Sequence, residues 1–248
     1  MTTSSNISGA GCSVSHKGLV TRKLLVPLAL LLVATTAPAP AQTAAELDAG
    51  RFEIRVQNRR VGVESFRVWR EGGEVKAVGL VTLDGSGSTP MDVRLQADER
   101  FRPTRYGLRA PQSAVTSVDG AWTGDRLRLH ITSSDGERWK EFLTPGQVAV
   151  LEDGVAHHAL LLLQVLPADP VGARLTVIVP SRGVQSLAVV RSVRPEPIRI
   201  GDATIETRVY EVEVSGSTLL IWVDEDGRVV QVAAPDQNRI ATRLPDTS

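Results

Sequence analysis

The sequence predicts an all-β domain: a curved antiparallel sheet forming an open or closed barrel-like structure, with about thirteen strands and one short buried helix. Three observations carry this expectation. Alternating polar and apolar runs recur throughout. Turn signals separate them at roughly eight- to twelve-residue intervals, the spacing of an antiparallel β protein. A single Leu- and Ala-rich run breaks the rhythm near the middle of the chain.

The elements follow in order. Residues 51–56 alternate strictly and place Phe52, Ile54 and Val56 on one face. Asn58-Arg59-Arg60 turns the chain into a return strand over 61–70. Glu71-Gly72-Gly73-Glu74 turns it again into 75–83. Asp84-Gly85 and Asp119-Gly120 are further turn candidates. Residues 126–131 alternate, and Asp135-Gly136 suits a tight turn because both central positions tolerate positive φ. The strand then continues over 137–143. In the second half, 173–179, 186–193, 203–214, 219–223, 228–233 and 238–244 read as strands. Pro195 and Pro197 mark a break between two of them.

Residues 155–166 form the exception. Their only polar side chains are His157, His158 and Gln164. Leu and Ala favour helix, Asp153 is the expected N-cap and Pro167 the stop. A helix apolar on most sides needs cover on most sides. It is expected across the mouth or within the concavity of the sheet. The two halves of the chain are then two arms of one barrel or two packed sheets.

Ahead of the domain lies an export signal. Arg22 and Lys23 precede an apolar stretch over 24–34, and Ala39-Pro40-Ala41 fits the small-x-small rule for cleavage before Gln42. The expected organisation is an N-terminal extension and signal peptide over 1–41, the signal proper being about 20–41, then a single β domain over 42–248. The stretch is too short to span a bilayer, which takes about 20 residues, so a periplasmic or secreted product that does not span the membrane is expected. Residues 1–19 are polar and patternless, and Val20 is a candidate initiator. Cys12, the one cysteine, lies upstream of the apolar stretch. The mature chain is therefore expected to hold no disulfide, no thiol nucleophile and no lipoprotein acylation site.

Composition narrows the partners. The chain has 28 basic and 28 acidic residues, and loss of Lys17, Arg22 and Lys23 with the leader leaves a slight acidic surplus. That balance offers no electrostatic footprint for nucleic acid and no basic cluster for anionic lipid.

Motifs for catalysis are missing from the sequence. It contains no Gly-x-Ser-x-Gly, His-Glu-x-x-His, cysteine pair or phosphate loop, and no cofactor or metal is expected. The serine-rich 84–88 reads as a loop. Carboxylates fall on strand faces or in turns and read as solvated. His130 belongs to the polar face of its strand. His157 and His158, adjacent on a helix, project about 100° apart and chelate one metal poorly. One is expected to cap or pack and the other to face solvent. Trp222 sits on the opposite strand face from Leu219, Ile221 and Val223, either lining a groove or packing a second layer. His157, His158 and Trp222 are the candidate ligand-binding residues.

Three stretches resemble a broad group of bacterial periplasmic domains of unknown function, the DUF3108 and DUF6134 types. They are 52–68, with Val61-Gly62-Val63-Glu64-Ser65-Phe66; 148–162, with His157-His158; and 210–237. The resemblance implies a curved, barrel-like antiparallel sheet in the periplasm, similar in build to lipid or lipoprotein carriers, and implies no catalytic residue.

The leading expectation is a non-enzymatic envelope protein binding an apolar or amphipathic ligand, such as a lipid, or a partner protein on the concave side of the sheet. One alternative is a hydrolase using His157 or His158 with carboxylates brought in by the fold. Another is a structural envelope-assembly protein that adds a partner's strand to an exposed sheet edge.

Overall fold

Alternation along a strand decides which side chains face inward, and here the inward sets of successive strands agree across the sheet. A computed structural model describes residues 44–85 and 89–245. The extension, the signal and its cleavage site lie outside these residues, as do residues 86–88 of the serine-rich loop. Among the described residues no helix is long and apolar enough to cross a membrane.

The first eight strands form a meander: β1 (Ala45–Val56), β2 (Arg59–Glu71), β3 (Glu74–Leu83), β4 (Met91–Ala97), β5 (Pro103–Arg109), β6 (Val115–Thr123), β7 (Arg126–Ser133) and β8 (Gly136–Leu143). A short strand β9 (Val148–Val150) and helix α1 (His158–Gln164) follow. Then come β10 (Arg174–Val179), β11 (Val184–Pro195), the small hairpin β12 (Ile198–Ile200) and β13 (Ala203–Ile205), β14 (Thr207–Val214), β15 (Ser217–Asp224), β16 (Val229–Ala234) and β17 (Arg239–Arg243). One 15-stranded sheet runs β8-β7-β6-β5-β4-β3-β2-β1-β17-β16-β15-β14-β11-β10-β9. Neighbours pair antiparallel except β9 and β10, which are parallel.

The order answers the question of two arms or two sheets. It is one sheet, joined at its centre by the first and last strands, from Phe52↔Arg243 to Val56↔Arg239. Its two end strands, β8 and β9, follow one another in sequence. No ladder closes β8 onto β9 among the described residues. β8 nonetheless reaches β11, third from the other end: Gln185 Nε2 donates to the Leu143 carbonyl at 3.0 Å.

The segment from β9 through α1 fills the concave side. Val148, Ala149 and Val150 are buried, as are His158 to Leu162. The apolar ones among them join Phe52, Phe66, Leu127, Leu129, Ile131, Val177 and Ile221 in one apolar core. The expectation of a helix covered on most sides thus holds, with α1 in the concavity.

Several local expectations are corrected. Seventeen strands are present among the described residues, against about thirteen expected. β9, β12 and β13 have three residues each, too few to show alternation. Asp119-Gly120 is no turn but the middle of β6. A Cβ on Gly120 would lie 2.9 Å from the Leu129 side chain, so this glycine admits a neighbouring leucine. The run 203–214 breaks at Glu206, where β13 ends in its own hairpin and β14 enters the large sheet. Ser133 pairs with Gly136, so the two loop residues of that hairpin are Ser134 and Asp135. The helix starts three residues later than the apolar run, and Asp153 does not cap it.

Candidate functional site

The turn that leads into α1 is held by a strand distant in sequence. The first N–H groups of a helix have no i−4 partner, and here Ala159 and Leu160 donate to the Ala156 and His157 carbonyls at 3.0 and 3.1 Å. Glu64, on β2, binds the two residues just before the helix: its Oε2 accepts from the Ala156 N–H at 2.6 Å and its Oε1 from the His157 N–H at 3.1 Å. The same carboxylate forms a short contact with His157 Nδ1. With Glu64 already accepting from two backbone groups, the ring nitrogen facing it is assigned as the donor. Glu64 and His157 are both fully buried.

The His157 ring is fixed from two sides. It lies parallel to Phe66 with centroids 5.8 Å apart. It also presses on β3 at Gly79, where a Cβ would meet His157 Cε1 at 2.5 Å.

His158 is held differently. Its Nδ1 accepts from the Glu152 N–H at 3.1 Å, which leaves the proton of the neutral ring on Nε2. Burial, with His157 close by, keeps its pKa well below the ordinary histidine value. The two imidazoles meet edge to face, centroids 4.7 Å apart, and neither Nε2 has a hydrogen-bond partner among the described residues.

Glu152 is the second buried carboxylate. It accepts from Tyr106 Oη at 2.9 Å, from the Ser181 N–H at 3.0 Å and from the Ser181 hydroxyl. The Asp153 N–H also donates to it at 3.0 Å. Tyr106 belongs to β5, and Ser181 to the turn between β10 and β11. Glu152 therefore ties the inner segment to both arms of the sheet. Burial raises its pKa against the lowering effect of these donors and raises that of Tyr106 further.

Beside this cluster lies a cavity of about 420 Å³, inside the roughly 300–1,000 Å³ range of small-molecule sites. Val155, Ala156 and Ala159 form one wall, and Val214, Leu219 and Val232 on β14–β16 form the other. Asp153 and Arg182 stand at the rim, joined by an ion pair of 2.6 Å. Arg239, on the inner face of β17, also lines the cavity. A second concavity of about 610 Å³ lies between the β4–β5 turn and the C-terminal end of α1.

The candidates from the sequence fare unevenly. His157 and His158 are brought together, but both are fully buried and neither lines either cavity. Neither ring faces solvent, which corrects the expectation for one of them. His157 does reach a carboxylate, as the hydrolase alternative requires, but lines neither cavity. Trp222 is remote from the pair. It packs with Val209, Val230 and Ala233 in a second apolar cluster. Ile198 and Ile200 of β12 pack against that cluster, and Trp222 Nε1 donates to Glu196 at 3.1 Å. It packs a second layer and lines neither cavity. His130 is partly covered, stacked on Trp139 at 4.3 Å and 3.0 Å from Glu137.

Sequence reasoning missed Glu64 and Glu152, because it read carboxylates as solvated, and it did not single out Arg239. The signal was available for two of them. Glu64 follows Gly62 and precedes Phe66 and Val68 on one strand face, and Arg239 shares a face with Ala241. A charge on an otherwise apolar strand face is the departure from pattern that marks them.

No family model and no curated protein matches the chain, so the DUF3108 and DUF6134 likeness stays one of motifs. Among solved structures the chain is similar to a crystal structure described as a β-barrel-like protein of domain of unknown function DUF1849 from Brucella abortus. The two are 10% identical, the match covers 79% of this chain and 94% of that chain, and the TM-score is 0.44.

Proposed function

We propose that this chain is a non-enzymatic binding protein of the cell envelope that takes an apolar or amphipathic small molecule into the concave side of its sheet. The observation that carries the reading is the cavity of about 420 Å³ with apolar walls on both α1 and β14–β16. The polar cluster supports it from behind. Glu64 and Glu152 hold the inner segment against both arms, so the wall formed by 155–159 is fixed before any ligand arrives. The leader over 20–41 supports an envelope location.

Native mass spectrometry of protein purified from its own host is the direct test. A co-purifying small molecule is expected, and it should be lost from Ala159→Phe, which fills the cavity from α1. An empty wild-type protein that also fails to bind 1-dodecanol would sink the reading.

A second reading rests on β8. This end strand is exposed along nearly its whole length, with Trp139 and Leu143 each 63% exposed, and its outer edge pairs with no strand among the described residues. Such an edge can accept a partner's strand. Trp139→Pro should abolish capture of an envelope partner while leaving dodecanol binding intact. Unchanged capture removes this reading.

A further inference from the structure

The geometry points to an acidic headgroup on the ligand, carboxylate or phosphate monoester, held by the guanidinium of Arg239 while a single alkyl chain lies along the apolar walls. This rests on the cavity being a ligand site. Arg239 lines the cavity and is half-buried, yet it makes no ion pair and no side-chain hydrogen bond among the described residues. A guanidinium carries five donors in a planar fork suited to carboxylate and phosphate, and removing it from water without a partner is costly.

The carboxylates that attract it, Glu64 and Asp153, are already engaged. Glu64 accepts from two backbone N–H groups and faces His157. Asp153 is paired with Arg182. The Arg239 fork is therefore the open cation of this cavity. Size limits the rest of the molecule: at about 30 Å³ per water-sized group, 420 Å³ holds on the order of fourteen such groups, enough for one medium chain and a headgroup.

Calorimetric titration of the purified full chain with dodecanoate, dodecyl phosphate and 1-dodecanol at pH 7.5 and low salt tests this. Wild type should bind at least one of the two anions about ten-fold or more tightly than the alcohol, and which anion wins identifies the headgroup. Arg239→Met should erase that preference by weakening anion binding alone. Arg239→Lys should keep part of it, and Arg128→Met, an exposed arginine on β7 outside the cavity, should leave it unchanged. Equal affinity of wild type for anions and alcohol overturns the headgroup assignment but leaves the cavity reading intact. Binding of none of the three removes both. If Arg239→Met does not fold, the wild-type ratio alone decides.

Discussion

Strand β17 carries two inward arginines four residues apart, and their surroundings differ completely. At one end Arg243 is nearly buried, 10% exposed, against an Asp48 that is 7% exposed. The pair is bidentate at 2.9 and 2.6 Å, Ala49 adds a carbonyl at 2.6 Å, and Phe66 lies under the guanidinium at 5.5 Å. Gly50 leaves room for it, since a Cβ there would fall 2.9 Å from an Arg243 nitrogen. At the other end Arg239 faces a cavity with no such partner among the described residues. One guanidinium is complete within the fold, and the other is complete only with something added. A buried charge whose donors are all taken belongs to the structure, whereas one with open donors beside a cavity belongs to a site.

The sharpest way to break this contrast is Arg243→Met. It strands the Asp48 carboxylate in the sheet, and loss of one partner of a buried pair costs about 3–5 kcal/mol. Urea unfolding should show it, and a change under about 1 kcal/mol would remove the structural assignment. Glu64→Ala should cost about as much by the same logic, and it should also loosen the 155–159 wall and lower affinity in the cavity.

Gly79→Ala comes next, at about 1–3 kcal/mol for overpacking, because its methyl enters the space of the His157 ring.

His158 gives a pH effect. Its folded pKa is depressed, so the folded state binds its proton less readily than the unfolded chain does. The stability it contributes is present above the ordinary histidine value and is lost as pH falls below that value. Glu152 acts oppositely. Its raised pKa gives stability below the ordinary glutamate value that fades as pH rises through the folded pKa. His158→Asn, whose Oδ1 can accept from the Glu152 N–H, isolates the histidine. The fall in melting temperature between pH 7 and pH 5.5 should be smaller in the variant, with His157, Tyr106 and Glu152 still facing the position. An identical slope would refute neutral burial of His158.

The smallest effect completes the contrast. Arg239→Met should leave stability without ligand unchanged or raise it by up to about 1 kcal/mol, since it removes a partly desolvated charge that lacks a close partner. A loss comparable with that of Arg243→Met would make the two ends of β17 alike.

Legibility in the sequence followed the range of the interaction. The strand faces at 51–56, 126–131 and 219–223 were readable because period-two alternation is local. The helix was readable as an apolar run, but its start was not, because the turn before it is held by Glu64, far away in the chain. Gly120 misled because the same residue type serves a turn and a close approach equally well. The pairing of β1 with β17 has no local signature. Of the site, His157 and His158 stood out by residue type, although their role is set by Glu64 and Glu152. Trp222 stood out by size alone, and it belongs to an outer layer made by a hairpin too short to recognise.

The meeting of first and last strands at the sheet's centre fixes an order of events during folding. The hairpins from β1 to β8 are closed by short loops and can form as soon as their residues exist. β1 has one neighbour from that meander, and its other edge waits for β17. The Asp48–Arg243 pair and the β1–β17 ladder therefore close a loop of nearly the whole domain, and contacts of such separation form slowly. Until they form, β1 is an unprotected edge in a half-built sheet, the period in which a nascent copy is most open to pairing with another chain.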